Sequence, residues 1–173
     1  MMKINVPLEK GYLADQYAKY APATQKIDGY PSQSFPIEIT NLPVDTRFLA
    51  WTLVDFDSIP VMGFTYIHWI AANYPVLGSE ALIPANLAQE GENFTRGQNS
   101  LYSQYVDVDN PQIINNYIGP MPPDKDHNYT LTVYALKQAL PLPDGFFLNE
   151  LRQATHNQPV VLEKMSIDIL ARS

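Results

Sequence analysis

One part of the chain brings carboxylates and a histidine close together in sequence. Asp55 and Asp57 stand at the end of an apolar run, and His68 lies within the next apolar run. Aspartates at a strand end often bond nearby backbone amides and simply hold a turn. A histidine, however, titrates near neutral pH, and an adjacent carboxylate favours its charged form. Asp55 is therefore a candidate for orienting and charging a histidine, whereas Asp57 is explained equally well as a residue that holds the loop.

A second part of the chain combines a stiff loop with a histidine and a tyrosine. Three prolines lie within five residues from Gly119 onward, and His127 and Tyr129 follow. Proline fixes φ and removes a backbone donor, so the loop should be rigid, with its few free N–H groups on Gly119 and Met121. Imidazolium, a tyrosine hydroxyl and free amides can hold a phosphate or similar anion without Lys or Arg. The two parts together predict a small anion-binding site that includes His68.

Five short motifs occur in a fixed order along nearly the whole chain. They are Asp-Phe-Asp-Ser-Ile-Pro at 55–60, His-Trp at 68–69, Gly-Gln-Asn at 97–99, Tyr-Ile-Gly-Pro-Met-Pro-Pro at 117–123 and His-Asn-Tyr at 127–129. In this order they resemble the phosphatidylethanolamine-binding protein family, and in particular its bacterial members, often called Raf-kinase-inhibitor-like proteins. Asn128 stands where a basic residue is common in that family.

The resemblance implies that the motifs line one small ligand-binding cavity. Asp55 would charge a histidine, the histidines and Tyr129 would donate to the ligand, and Trp69 and Tyr117 would form walls. The expected ligand-binding residues are Asp55, Asp57, His68, Trp69, Tyr117, Gly119, Pro120, Pro122, His127 and Tyr129.

The turn at residues 55–60 is predicted to contain a cis peptide bond before Pro60. The cis form of such a bond lies only about 0.5–1 kcal/mol above the trans form. The acidic segment must turn sharply between two apolar strands, and members of the family it resembles tend to use a cis proline there.

The hydrophobic pattern predicts a protein built mainly of β-strands. Strands are expected at residues 35–40, 48–55, 64–72, 129–136 and 165–170, with a long irregular segment at 74–116. A short helix is expected at 150–156, capped by Asn149, and a second helical turn at 160–164. The prediction is one domain, residues 1–173, folded as a β-sandwich of mostly antiparallel strands with short C-terminal helices. The resemblance implies the same fold.

Composition narrows the classes of partner and compartment. The formal net charge is −7, from 18 acidic and 11 basic residues, which argues against binding to nucleic acid or to anionic membranes. The chain has no cysteine, no segment long enough to span a membrane and no signal-peptide pattern. A cytoplasmic protein without a cofactor is expected.

Three function classes remain open. The favoured one is a binding protein for a small anion, such as a phosphate ester or phospholipid head group, that regulates partner proteins by occluding them. A metal-dependent hydrolase that uses the Asp and His side chains is less favoured, because no short metal-binding spacing such as His-x-His occurs. A pure protein-interaction module is the third. High apolar and aromatic content also predicts a homodimer, since symmetric dimers are the commonest soluble oligomers.

Overall fold

Strands make up most of the regular backbone, and they form three β-sheets in the computed structural model, which describes residues 1–173. The strands are β1 (Lys3–Asn5), β2 (Leu8–Glu9), β3 (Tyr12–Leu13), β4 (Lys26–Ile27), β5 (Tyr30–Pro31), β6 (Ile37–Thr40), β7 (Phe48–Asp55), β8 (Tyr66–Pro75), β9 (Ala81–Ile83), β10 (Thr95–Arg96), β11 (His127–Leu136) and β12 (Val161–Ala171). The four α-helices are α1 (Ile59–Met62), α2 (Leu87–Glu90), α3 (Pro111–Ile114) and α4 (Leu148–Thr155), and three short 3-10 helices lie at Asp15–Tyr17, Ala23–Gln25 and Ser100–Tyr102.

The largest sheet has seven strands in the order β10-β8-β7-β11-β12-β3-β2. Its neighbours pair antiparallel except for β3, which runs parallel to β12. A three-stranded antiparallel sheet, β1-β6-β9, packs over one face, and β4 and β5 form a small hairpin. The predicted β-sandwich of mostly antiparallel strands is therefore confirmed.

Alternation along the strands explains why the two sheets pack face to face. Leu49, Trp51 and Leu53 lie on one face of β7 and are completely buried. Ile37 and Ile39 of β6 are buried opposite them and belong to the same cluster of 27 core residues. This main core fills the space between the seven-stranded and three-stranded sheets.

A second, smaller core closes part of the outer face of the large sheet. Ala50, Ile70 and Leu136 lie on that face and pack beneath Leu151 of α4. The helix begins at Leu148, where the Phe147 N–H donates to the Glu150 carboxylate at 2.8 Å. The expected cap at Asn149 is therefore wrong, because Asn149 already lies inside the first turn and Glu150 reaches back to bind the free amide.

Three further expectations need correction. Residues 161–164 are strand and not helix, and Val160 lies in the turn before them, because β12 begins at Val161 and pairs with β11 from Leu136 onward. No peptide bond is cis, so the one before Pro60 is trans; Pro60 instead lies in the first turn of α1, where its fixed φ suits a helix. The segment 74–116 is more ordered than expected, since it holds β9, β10, α2 and α3.

None of the four helices is long and apolar enough to cross a membrane.

Candidate functional site

Antiparallel pairing brings the polar motif residues together at one end of the central strands of the large sheet. Asp55 is the last residue of β7, and His127 is the first residue of β11. Asp55 lies opposite Tyr129 on β11 and opposite Tyr66 on β8. Residues far apart in sequence thus become neighbours because β7 ends, and β8 and β11 begin, at the same end of the sheet.

A β-bulge places His68 beside this group. The pairing of β7 with β8 passes from Leu53 opposite Trp69 to Val54 opposite Ile67, so His68 has no partner residue. Such a bulge re-aims a side chain and is frequent next to functional sites. The ring centres of His68 and Tyr129 lie 4.9 Å apart, edge to face.

His127 is held between two carboxylates. Its buried ring donates from Nδ1 to Asp55 Oδ2 at 2.8 Å and from Nε2 to Asp124 Oδ1 at 2.9 Å. Because carboxylates only accept, both ring nitrogens carry protons and the ring is imidazolium. Burial disfavours this charge, but the hydrogen bonds and charges of Asp55 and Asp124 outweigh it and raise the pKa of His127 above its ordinary value.

The two carboxylates differ in how firmly they are held. The Asp55 side chain is 5 % exposed and also accepts the Ser58 N–H at 3.0 Å. The Asp124 side chain lies on the loop of residues 119–126, here called the proline-rich loop, and is 48 % exposed. Desolvation opposes ionisation of Asp124, but the hydrogen bond from His127 lowers its pKa below the ordinary value. Asp55 is thus a buried partner of His127 with a second hydrogen bond to hold it, and Asp124 is a half-exposed partner.

His68 has the opposite electrostatics. Its Nδ1 lies 2.9 Å from the Ile118 carbonyl oxygen, which can only accept, so Nδ1 carries the proton. Burial lowers the pKa of His68 to about 4, despite the raising effects of that hydrogen bond and of Asp55. The ring is neutral at pH 7, and its Nε2 is a hydrogen-bond acceptor. Of the two histidines that Asp55 was expected to orient and charge, His127 is the charged one; no carboxylate contacts the ring of His68.

Two tyrosines complete the polar lining. Burial, followed by the nearby Tyr30, raises the pKa of Tyr66 to about 12. Burial, followed by the charge of Asp55, raises the pKa of Tyr129 well above its ordinary value. Both hydroxyls stay protonated at neutral pH and can donate a hydrogen bond.

These side chains line a cavity of about 240 Å³. Its rim is apolar and half open, because Val61 and Met62 of α1 and Met121 of the proline-rich loop are all 40–44 % exposed. This volume lies below the range of about 300–1,000 Å³ common for drug-sized ligands, so the cavity is small. The lining residues are Tyr30, Asp55, Ser58, Val61, Met62, Tyr66, His68, Ile118, Gly119, Met121, Pro122, Pro123, His127 and Tyr129.

Four of the expected site residues lie outside this lining. Trp69 and Tyr117 are fully buried core residues whose rings pack edge to face at 5.5 Å, so they are not walls of the cavity. Asp57 accepts the Asn128 N–H at 2.9 Å and holds the loop. Pro120 lies between the lining residues Gly119 and Met121 without lining the cavity itself.

Gly119 lines the cavity but does not offer a free amide there, contrary to expectation. Its N–H donates to the Pro31 carbonyl at 2.7 Å. A Cβ at this position would lie 2.3 Å from the Tyr17 carbonyl oxygen, so the close backbone approach requires glycine.

Sequence reasoning missed Asp124, Tyr66 and Ile118. Asp124 precedes His127 in an acidic turn, which is a visible signal, but its contact depends on how the loop folds back. Tyr66 lies two residues before His68, and only the strand pairing shows that it neighbours Asp55. Ile118 acts through its backbone carbonyl, which no sequence pattern reveals.

The chain contains no group of three or more His, Asp or Glu side chains arranged to hold a metal ion. Asp55 and Asp124 each bind His127.

Comparison with known proteins gives consistent matches. Residues 4–168 match the family model described as phosphatidylethanolamine-binding protein. An uncharacterized protein of Bacillus subtilis (strain 168), YxkA, is 46 % identical over 162 residues, which cover 93 % of this chain and 94 % of that protein.

Two solved structures share the fold. One is the phosphatidylethanolamine-binding protein homologue CT736 of Chlamydia trachomatis, with a TM-score of 0.71 and 19 % identity over 99 % of this chain and 97 % of its own. The other is E. coli YbcL, a member of the mammalian PEBP family, with a TM-score of 0.74 and 16 % identity over 99 % of this chain and 98 % of its own.

Proposed function

Because the chain belongs to the phosphatidylethanolamine-binding protein family, we propose that it is a ligand-binding protein whose cavity takes a small phosphate-bearing molecule. The observation that carries the proposal is the buried imidazolium of His127, held by one fixed carboxylate and one exposed carboxylate. A buried cation whose second partner can be replaced is a local attraction for an anion.

In this proposal the phosphate oxygens take the place of the Asp124 carboxylate at His127 Nε2. Both groups are oxyanions that accept charge-assisted hydrogen bonds from an imidazolium N–H. Asp55 keeps Nδ1 bonded and the ring oriented while the exchange takes place.

The neighbouring His68 favours a different group on the ligand. His68 offers an acceptor at Nε2, so the ligand should carry a donor there, such as a hydroxyl or an ammonium group. The apolar rim around Met62 and Met121 suits an attached hydrocarbon. A phosphate ester of a small amino alcohol combines these features, in agreement with the name of the family.

Binding should weaken as pH rises. The acidic chain opposes an anion at long range, so affinity depends on local donors. His127 is charged below its raised pKa and loses its proton above it. The attraction therefore fades as pH rises through that pKa, even though a phosphate monoester itself gains charge near pH 6.

Calorimetric titration with O-phosphorylethanolamine at pH 5.5 and 8.5 tests the proposal. A charge-assisted hydrogen bond contributes about 1.5–3 kcal/mol, so we expect affinity to be at least roughly tenfold higher at pH 5.5. His127→Ala should lose this difference. Lys3→Ala is the control, because it also removes a positive charge but Lys3 is exposed on β1 and does not line the cavity. Equal affinity at both pH values, or full affinity in His127→Ala, would overturn the proposal.

A homodimer and a partner protein regulated by occlusion stay predictions. Light scattering at micromolar concentration decides the first, since a dimer must give twice the mass of one chain. Cross-linking with and without O-phosphorylethanolamine would then show whether the cavity influences assembly.

A further inference from the structure

The outer face of the seven-stranded sheet carries a second and larger cavity, of about 760 Å³. It lies between α4 and the strands β7, β11 and β12. Because side chains alternate along a strand, Thr52 and Thr132 face this cavity while Leu53 and Leu131 face the main core. The cavity, here called the outer groove, is therefore distinct from the one that contains His127.

The outer face changes character along the strands. Where α4 covers it, the face is apolar, with Ala50 and Leu136 packed beneath Leu151. Beyond the helix it becomes polar and open, with Thr132 and Tyr134 on its floor. A sheet face left uncovered is normally polar, so openness alone is no sign of a site.

The charge of the outer groove is the first sign of a site. Arg152 from α4, Lys164 from β12 and His156 line it, whereas no Asp or Glu does. Neither Arg152 nor Lys164 forms an ion pair with a carboxylate of the protein, although acidic residues outnumber basic ones by 18 to 11. The Lys164 ammonium lies 5.4 Å from the ring centre of Tyr134. Unpaired cations gathered in one concave surface of an acidic protein favour an anion.

A threonine on the groove floor is the second sign. Thr52 makes no side-chain hydrogen bond within the protein, although the residue is only 5 % exposed, and its hydroxyl oxygen is not among the fully buried atoms. Thr132 beside it has its hydroxyl 2.8 Å from that of Ser166. The Thr52 hydroxyl is therefore open to the groove and available to a group bound there.

We propose that the outer groove binds a phosphate-bearing small molecule. Arg152 and Lys164 neutralise its charge, and the Thr52 hydroxyl donates to a phosphate oxygen. Guanidinium and ammonium are the usual partners of phosphate. The volume lies within the range of about 300–1,000 Å³ common for small-molecule sites, so it holds a larger ligand than the His127 cavity does.

Titration of ¹⁵N-labelled protein with inorganic pyrophosphate, followed by NMR, tests the proposal. Saturable amide shifts are expected around Thr52, Thr132 and Lys164. The double substitution Arg152→Gln with Lys164→Gln should weaken binding at least tenfold, because two charge-assisted contacts are lost. Thr52→Val, which keeps the side-chain shape, should weaken it by roughly threefold.

A charge-matched control shows whether pyrophosphate binding depends on the outer groove itself. Lys3→Gln with Lys125→Gln makes the same change in net charge outside the groove and should leave the affinity within about twofold. Because amide shifts are assigned residue by residue, any binding in the first cavity is read separately from the shifts around His127. Circular dichroism and the melting temperature show whether each variant is folded. No saturable shift, shifts only around His127, or equal loss in both lysine-containing double variants would overturn the proposal.

Discussion

Two histidines contribute to one cavity, and the structure gives them opposite chemistry. His68 is neutral, donates its proton to a backbone carbonyl and presents an acceptor. His127 is cationic and donates to two carboxylates. Both rings are buried, so burial alone does not decide the charge. The number of carboxylates within hydrogen-bond distance decides it instead: none for His68 and two for His127.

The positions of the two histidines on their strands explain why His127 contacts two carboxylates and His68 contacts none. His127 is the first residue of β11. Asp55 at the end of β7 and Asp124 on the proline-rich loop both lie within hydrogen-bond distance of its ring. His68 lies inside β8, where the nearest polar partner is the Ile118 carbonyl. A cavity built in this way can hold a donor and an acceptor side by side at pH 7.

Removing the fixed carboxylate should have the largest effect. Asp55→Asn removes the buried one of the two carboxylates that hold His127, and breaking a buried ion pair costs about 3–5 kcal/mol. Urea unfolding at pH 7 should show a loss in this range. Asp57→Asn is the matched control, since Asp57 bonds one amide on the loop, and it should lose less than about 1 kcal/mol. Equal losses in the two variants would contradict the assigned role of Asp55.

The two histidines should change the free energy of unfolding with pH in opposite directions. The folded-state pKa of His68 is depressed to about 4, so its stabilising effect is full above the unfolded value near 6.5 and is lost as pH falls towards 4. The difference between the unfolded and folded pKa values of His68 corresponds to about 3 kcal/mol of unfolding free energy once the pH is below both values. The pKa of His127 is raised, so its contribution is full below the unfolded value and is lost as pH rises through the folded one.

Urea unfolding of the wild type, His68→Gln and His127→Gln between pH 4 and 9 checks these signs. His68→Gln should flatten the acid side of the profile, and His127→Gln should flatten the alkaline side. If both variants flatten the same side, the comparison between the two histidines fails.

The smallest effect is expected at the exposed carboxylate. Asp124→Asn removes the group that competes with an anion at His127 Nε2. At pH 5.5 the affinity for O-phosphorylethanolamine should rise by roughly threefold, as expected for a partly exposed pair. The pKa of His127 should fall, because one of the two carboxylates that raise it is gone. Asp126→Asn is the control, since Asp126 bonds Tyr12 and Ser173 instead. An unchanged or weaker affinity in Asp124→Asn would show that Asp124 does not compete.

Strands are the part of this molecule that is most visible in the sequence. Residues 48–55 form an apolar run that ends at an acidic motif, and β7 has these same bounds. The prediction of a helical turn at residues 160–164 is wrong, because the pairing of β12 with β11 overrides a weak local preference for helix. The cis bond expected before Pro60 failed for a similar reason, since α1 takes up the turn that the bond was expected to make.

The chemistry of the site was less visible, because it depends on contacts that are distant or belong to the backbone. Regular alternation would turn His68 and Trp69 to opposite faces, and the β-bulge that changes this leaves no trace in the sequence. The charge of His68 depends on the Ile118 carbonyl, fifty residues away along the chain. The charge of His127 depends on how the proline-rich loop folds Asp124 back onto the ring.

The protonation states of the two rings can be observed by a long-range ¹H–¹⁵N NMR titration, with exposed His156 as an internal reference. At pH 6 we expect His127 to be protonated on both nitrogens and His68 to be neutral with its proton on Nδ1. With rising pH, His127 should titrate above 6.5; with falling pH, His68 should titrate near 4. A neutral His127 at pH 6, or a His68 that titrates together with it, would contradict the claim that this cavity holds one cationic and one neutral histidine.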